Sequence, residues 1–339
     1  MSALVGRESR PAGEPDAPGD RGITEAPPHL LSIADLGRDG ILEVLRLAAA
    51  FSEVADRPIP KVPALRGRTV ATVFFEPSTR TRLSFETAAR RLSADVMTFT
   101  ATTSSTSKGE SLRDTVETID AMGVDAMIVR HRASGAASRV TRWVKAKVVN
   151  AGDGSHEHPT QALLDCYTIL EAIGARDGGR APLDLSGVRI GIVGDISHSR
   201  VARSDVLAFS LLGASVTLVA PPTLMPPSLE GWPVSSSGSL DEVVAGFDVA
   251  YLLRIQTERL GEELLPSTEE YRRRYGLTSE RAARLPPGAF VLHPGPMNRG
   301  VEIDSEVADM PATLVRRQVR NGVSVRMAVL FHLLGSGAL

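Results

Sequence analysis

Short β-branched runs alternate with amphipathic segments along most of this 339-residue chain, and no other sequence feature constrains its fold more. Runs such as TVATVFF (69–75), DAMIVR (125–130) and RIGIVGD (189–195) predict buried strands. Between them, segments such as LRDTVETIDAM (112–122) carry apolar residues at helical spacing. Strands that alternate with helices pair in parallel and are covered on both faces, so the pattern predicts an α/β fold with doubly wound parallel sheets.

The length of the chain predicts two such domains, joined by helices. We expect a disordered tail over residues 1–28, where prolines, glycines and arginines leave no apolar run to form a core. A first domain is expected over 29–157 and a second over 158–310. A C-terminal helix within 311–339 is expected to pack back on the first domain. Ligands of open parallel sheets bind beyond the carboxyl ends of the strands, so the site is expected there.

The charge balance argues against nucleic acid as the principal partner, because 38 basic and 40 acidic residues leave a net charge of −2. No apolar run reaches the ~18–20 residues that a membrane helix needs, so no membrane partner is expected. The only cysteine, Cys166, excludes an intrachain disulfide and suits a reducing compartment. We therefore expect a cytoplasmic protein in which Cys166 is a buried core thiol.

The segment EPSTRTR (76–82) is the first candidate site, because it follows a predicted strand and opens a predicted helix. A helix N-terminus presents unpaired N–H groups and a partial positive charge, both of which suit a phosphate. The segment adds hydroxyl and guanidinium donors from Ser78, Thr79, Thr81, Arg80 and Arg82. There is no G-x-x-x-x-G-K-[ST] pattern, so a nucleotide P-loop is not predicted. These residues alone leave a capped helix with solvated arginines open as the alternative.

Two further segments carry polar side chains in the first half. TATTSSTSKGES (100–111) is a Ser/Thr-rich stretch with one lysine, and its composition alone indicates a flexible linker. In GDGSHEHPTQALLD (152–165), His158 and Gln161 lie one helical turn apart and share a face. The cluster His156-Glu157-His158 leaves a metal site open. No further Cys or His cluster completes it, so we predict no metal and regard His156 as non-catalytic.

The second half contributes three segments. GIVGDISHSR (191–200) follows a strand but lacks the G-x-G-x-x-G spacing, so it indicates a dinucleotide site only weakly. In YLLRIQTERL (251–260), Arg254 and Gln256 point to the same side at the strand period of two. HPGPMNRGVEI (293–303) contains a Gly/Pro turn that exposes backbone carbonyls.

FFEPSTRT is similar to the carbamoyl phosphate signature of the aspartate/ornithine carbamoyltransferase family, and the other segments follow in that family's order from about residue 74 to 303. The resemblance implies that the phosphate is held by Ser78, Thr79, Arg80 and Thr81. It implies further carbamoyl phosphate contacts from Arg130 (beside His131), His158, Gln161 and the carbonyls of Gly295 and Pro296. Arg80, Thr81 and His158 would face the reacting carbonyl oxygen and are the predicted catalytic residues.

The resemblance also implies where a second, amino acid substrate binds. The matching residues are Lys108, Arg200, Arg254 and Gln256, with Arg254 on the side-chain carboxylate. In this family a serine and a lysine, here Ser104 and Lys108, reach into the neighbouring subunit's site. A homotrimer with shared active sites is therefore implied, and a larger assembly with dihydroorotase or regulatory chains stays open.

The implied reaction is attack by the α-amino group of L-aspartate on carbamoyl phosphate, an early step of pyrimidine biosynthesis. Carbamoyl phosphate is already activated, so no metal or cofactor is expected. The ornithine enzymes typically carry His-Cys-Leu-Pro where this chain reads HPGP (293–296), and Arg254 suits a carboxylate better than an ammonium group. Transfer to ornithine or another amine, a non-catalytic scaffold chain and a nucleotide-binding oxidoreductase remain the alternatives.

Overall fold

The computed structural model describes residues 28–100, 110–179, 181–255 and 267–335. Apart from Pro28, the predicted N-terminal tail lies outside the described residues. The first sheet has the parallel order β2-β1-β3-β4. Its strands are β1 (Thr69–Phe74), β2 (Asp95–Thr100), β3 (Ala126–His131) and β4 (Lys147–Asp153).

The second sheet is also parallel and has the order β7-β6-β5-β8-β9. Its strands are β5 (Arg189–Val193), β6 (Ser215–Val219), β7 (Val234–Ser237), β8 (Val249–Leu252) and β9 (Phe290–Leu292). The two parallel sheets with their helices confirm the predicted fold class. Each sheet falls within one predicted domain, while the domain boundaries themselves stay a prediction.

The Pro/Ser-rich composition of residues 221–238 predicts only a loop, and strand β7 shows that this expectation was wrong. The strand reads VSSS and has no apolar alternation, so its sequence carries no strand signal. Its position comes from backbone pairing with the edge of β6, where Thr217 and Ser235 also join their hydroxyls at 2.8 Å.

The helices cover the two sheets and connect them. In chain order the helices are α1 (Ile33–Ala55), α2 (Thr79–Arg91), α3 (Leu112–Ala121), α4 (Ala136–Val140), α5 (Pro159–Arg176), α6 (Arg200–Leu211), α7 (Leu240–Val243), α8 (Thr268–Tyr275), α9 (Ser279–Ala282), α10 (Ser305–Ala308) and α11 (Val315–Leu334). Helices α8, α9 and α10 were not predicted from the sequence, because they are too short for a helical period to be evident. Among the described residues, no helix is both long enough and apolar enough to cross a bilayer.

The sequence pattern also predicts a helix that opens at Asp39 and a helix through the eighties with Leu83 on its apolar face, and both of these local expectations were wrong. Helix α1 begins after Ser32, whose side chain forms a capping box with Asp35, and not near Asp39. Gly37 interrupts α1 with φ of 59°, so the periodic stretch after it is only the second part of the helix. Leu83, expected on the apolar face of α2, is 50% exposed, because the buried face follows the spacing of Phe85, Ala88, Ala89 and Leu92.

Helix α11 packs against α1, α2 and α5, which confirms that the C-terminal helix returns to the first domain. Helix α5 also contacts α6 of the second sheet, so it joins the two halves as expected. One apolar core extends from the first sheet across α5 to the second sheet, and Cys166 is buried within it. This packing brings the carboxyl ends of the two sets of strands to a common cleft.

Candidate active site

A cavity of about 670 Å³ lies between the two halves, and the predicted site residues within the described part of the chain all line it. Those from the first half are Ser78, Thr79, Arg80, Thr81, Arg130, His158 and Gln161. Those from the second half are Arg200, Arg254, Gly295 and Pro296. The remaining predicted residues, Ser104, Lys108 and Gln256, lie outside the described residues. The cleft therefore assembles residues that lie more than two hundred positions apart in sequence, from Ser78 to Pro296.

The N-terminus of α2 forms one wall of the cavity. Ser78 is the N-cap residue, with φ of −159°, and its side chain makes no capping hydrogen bond. The first turn of α2 contains no acidic residue, so nothing there offsets the partial positive charge of the helix terminus. Thr81 is buried in the same turn and lines the cavity. This wall offers backbone N–H groups and hydroxyls to an anion.

Arg80 extends from this wall to the turn after β9. A Cβ atom on Gly295, whose φ is +65°, would lie only 3.1 Å from Cζ of Arg80, so the guanidinium lies against bare backbone. Burial, and secondarily the nearby Arg254, lower the pKa of Arg80. Two cations from different halves of the chain are thus close together, and an anion between them would relieve their repulsion.

A second pair of cations surrounds Glu76. Nη2 of Arg200 donates to Oε2 of Glu76 at 2.9 Å, and Nε of Arg130 lies 3.5 Å from the same oxygen. A Cβ on Gly152 would lie 3.1 Å from Nε of Arg200 and 3.2 Å from Nη1 of Arg130, so glycine is needed for this packing. Glu76 is the only acid in the basic segment 76–82, but nothing in the local sequence indicates this role.

His158 is the N-cap residue of α5, and its backbone N–H donates to Oγ of Ser204 at 2.9 Å. Its side chain is buried, and Nδ1 has no hydrogen-bond partner among the described residues. Burial, followed by the charges of Arg130, Arg200 and Arg326, holds the pKa of the imidazole well below its usual value. A neutral imidazole of this kind can donate a hydrogen bond to a carbonyl oxygen but does not act as an acid near pH 7.

The turn after β9 is held by hydrogen bonds on both sides. The backbone N–H of Gly295 donates to Nδ1 of His293 at 2.7 Å, and Nε2 of His293 lies 3.1 Å from Oε1 of Glu302. His293 and Glu302 are both almost fully buried. The carbonyls of this Gly/Pro turn therefore have a defined position at the edge of the cavity.

Two of the cavity residues were not predicted as site residues from the sequence. His198 and Asp195 line the cavity, with Nδ1 of His198 2.9 Å from Oδ1 of Asp195. His131, in contrast, packs its ring on Phe75 at a centroid distance of 5.2 Å and does not line the cavity. His156 contacts Asp153 at 3.3 Å, and no group of three or more His, Cys, Asp or Glu side chains in the described ranges could hold a metal ion.

The fold and the cleft define a two-domain α/β protein whose central cavity gathers cations around an anion-binding helix terminus. Two family models match the chain. The carbamoyl-P binding domain of aspartate/ornithine carbamoyltransferase matches residues 28–171, and the Asp/Orn binding domain matches 186–333. The chain belongs to the aspartate/ornithine carbamoyltransferase family, which confirms the resemblance seen in the sequence.

Individual relatives agree with this assignment. The chain is 58% identical over 309 residues to the aspartate carbamoyltransferase catalytic subunit of Acidothermus cellulolyticus, which covers 91% of this chain and 93% of the relative. It is 56% identical to the same subunit of Thermobifida fusca, and this match covers 91% of this chain and 95% of the relative. Aspartate transcarbamoylase from Trypanosoma cruzi in complex with carbamoyl phosphate and aspartate superimposes with a TM-score of 0.81 at 30% identity, covering 92% and 98%. The catalytic subunit of M. jannaschii aspartate transcarbamoylase superimposes with a TM-score of 0.75 at 38% identity. The match covers 90% of this chain and 97% of that subunit.

Proposed function

We propose that this chain transfers the carbamoyl group of carbamoyl phosphate to the α-amino group of L-aspartate, giving N-carbamoyl-L-aspartate and phosphate. One observation carries the proposal: the helix terminus at Ser78–Thr81 and the cations Arg200 and Arg254 line the same cavity from opposite halves of the chain. Two anionic substrates that must meet need such an arrangement, because each is held by its own set of donors while the cations offset their mutual repulsion.

Carbamoyl phosphate binds with its phosphate on the N-terminus of α2, where Ser78, Thr79, Arg80 and Thr81 supply the donors. The pocket of Arg130, Gln161 and the 295–296 carbonyls holds the rest of the molecule. Arg80, Thr81 and neutral His158 face the carbonyl oxygen. Negative charge grows on this oxygen as the amine adds, and donors that are already in place stabilise it without reorganisation.

L-aspartate enters on the side of the second sheet. Arg254 binds its β-carboxylate, Gln256 positions this group, and Arg200 and Lys108 complete the binding site. The amino nitrogen forms a bond to the carbonyl carbon, the bond from that carbon to the phosphate oxygen breaks, and the departing phosphate accepts the amine proton. An essential base in the pH–rate profile that vanishes in a His158→Ala variant would contradict this last step.

The organisation of the chain follows from the same proposal. Residues 29–157 bind carbamoyl phosphate, 158–310 bind aspartate, and the helix within 311–339 returns to the first domain. The chain forms a homotrimer in which Ser104 and Lys108 act in the neighbouring site. This catalytic unit works in the cytoplasm, in pyrimidine biosynthesis, and can join a larger assembly with dihydroorotase or regulatory chains.

Phosphate release from carbamoyl phosphate, measured with a panel of amino acids, tests the proposal. We expect release with L-aspartate and little with L-ornithine, because Arg254 would repel an ammonium side chain. Arg254→Ala should abolish the preference for aspartate. Arg299→Ala is the control, since Arg299 is paired with Asp309 at 2.7 Å and does not line the cavity. Absence of release with aspartate would refute the proposal.

A further inference from the structure

A buried carboxylate, Asp165, lies behind the cleft on α5, one helical turn beyond Gln161. It accepts hydrogen bonds from three side chains on three different elements. Nε2 of Gln161 on α5 lies 3.0 Å from Oδ2, the hydroxyl of Tyr251 on β8 lies 2.7 Å from Oδ2, and Nε2 of Gln318 on α11 lies 2.6 Å from Oδ1. Asp165 is thus the common acceptor of three elements that meet at the cleft.

Each of these donors leads to a wall of the cavity. Gln161 and Gln318 both line it. Oε1 of Gln318 also accepts from the backbone N–H of His293 at 3.1 Å, so the turn that contains Gly295 is connected to Asp165 through a single side chain. Tyr251 lies on β8, and Arg254 follows in the chain just after this strand ends at Leu252.

The chemistry of an amide decides which way Gln161 points. An amide has a donor end and an acceptor end, whereas an ionised carboxylate only accepts. A reversed Gln161 would bring two acceptors together in a buried place, which costs about 1–3 kcal/mol. With its –NH₂ on Asp165, Gln161 presents its carbonyl oxygen to the cavity. A carbonyl oxygen at this position accepts a hydrogen bond from an amino group, whereas a methyl group has no hydrogen to donate to it.

The charges around Asp165 are compatible with this acceptor role. Burial raises the pKa of Asp165 to about 7, and the three donors together with Arg326 on α11 oppose the rise. Asp205 on α6 is buried as well, and burial followed by the charge of Asp165 raises the pKa of its carboxyl group well above the usual value. Tyr251 keeps its proton because burial raises its pKa well above the usual value. Above neutral pH, Asp165, which accepts from three donors, is therefore ionised, whereas burial and the charge of Asp165 disfavour a charge on Asp205.

We propose that Asp165 is a positioning residue that gives the cleft its preference for carbamoyl phosphate over acyl phosphates without an amino group. It holds Gln161 with the carbonyl oxygen toward the –NH₂ of the substrate, and through Gln318 it holds the 293–296 turn. The inference rests on the proposed function and deepens it, because it assigns the discrimination between –NH₂ and –CH₃ to a residue outside the cavity wall.

Binding of carbamoyl phosphate, acetyl phosphate and inorganic phosphate to the wild-type chain and to Asp165→Asn, at about pH 8, tests the inference. An asparagine of the same shape offers both donor and acceptor atoms, so Gln161 is free to turn around. The variant should bind carbamoyl phosphate about tenfold more weakly, which corresponds to about 1.4 kcal/mol. Its affinities for acetyl phosphate and phosphate should not change.

Asp205→Asn is the matched control, because it replaces a second buried carboxyl group and leaves the contact between Asp165 and Gln161 in place. We expect this control to keep the wild-type preference. In the Gln161→Ala background, Asp165→Asn should cause a smaller loss of preference than in the wild-type chain, since only the connection through Gln318 to the 293–296 turn is left to lose. Equal losses for all three ligands, or an unchanged preference in Asp165→Asn, would overturn the inference.

A measurement on the wild-type chain keeps the inference testable if Asp165→Asn does not fold. The preference for carbamoyl over acetyl phosphate should weaken as the pH falls through about 7, because protonated Asp165 no longer dictates the orientation of Gln161. The phosphate group is common to both ligands and cancels in the ratio. A ratio that is constant with pH would contradict the inference, whereas a wild-type chain that releases no phosphate with aspartate would refute the proposed function instead.

Discussion

Gly295→Ala should damage catalysis more than stability. At φ of +65° an alanine costs roughly 1–2 kcal/mol relative to glycine. Its Cβ would lie 3.1 Å from Cζ and 3.2 Å from Nη1 of Arg80, so the guanidinium must move by a few tenths of an ångström. A misplacement of about 1 Å can cost ~10²-fold in rate. The smaller shift of the Arg80 guanidinium should therefore lower kcat about tenfold. Initial rates of phosphate release, together with thermal unfolding, measure both effects.

Gly300→Ala separates the two effects, because it lies in the same segment and shares the backbone conformation. Its φ is +82°, but an added Cβ would meet no atom within 4 Å. We expect a similar loss of stability of roughly 1–2 kcal/mol and an unchanged kcat. If both variants lose activity to the same extent, then backbone strain and not the contact with Arg80 explains the result, and the reasoning fails.

Four further predictions test other parts of the chain. Mixing Lys108→Ala with Arg254→Ala chains should restore part of the activity if sites are shared between subunits; an activity that equals the sum of the two separate variants would refute sharing. Ser32→Ala should lower the free energy of unfolding by about 1 kcal/mol with normal activity, because it removes a capping box. Ser78→Ala, at an N-cap without a side-chain capping bond, should weaken phosphate binding with little change in stability, and the reverse outcome would contradict the assigned site. His158→Asn should lower kcat without changing the shape of the pH–rate profile above neutral pH, because burial holds the pKa of His158 well below its usual value.

The pKa of His158 also fixes the sign of a stability change. Because the folded state holds this pKa below its unfolded value, the unfolded chain binds a proton that the native chain does not as the pH falls below about 6.5. The contribution of His158 to stability is therefore present above this pH and decreases on acidification. Chemical unfolding of the wild-type chain and His158→Asn at several pH values measures this difference.

Most of the strands and the first wall of the site could be predicted because their signals are local. A β-branched run followed by polar residues and a helix predicts both β1 and the anion-binding terminus of α2, and the residues involved lie within about fifteen positions. Signals failed where tertiary contacts outweighed local preference. Strand β7 has no apolar alternation and is held by pairing with β6, and Leu83 looks like a core residue although α2 leaves it exposed.

The sequence by itself determined the fold class, the helix terminus that suits a phosphate and the residue types of the second site. Only the tertiary structure decided how these residues cooperate. Glu76 meets Arg200 across 124 positions of sequence, and Asp165 meets Gln318 across 153. Neither pair follows from spacing or composition, because each forms only after α5 and α11 have packed the two sheets against a common core. The carboxylates that orient the site are therefore recognised by their contacts, whereas the donors that bind the substrates are recognised by their motifs.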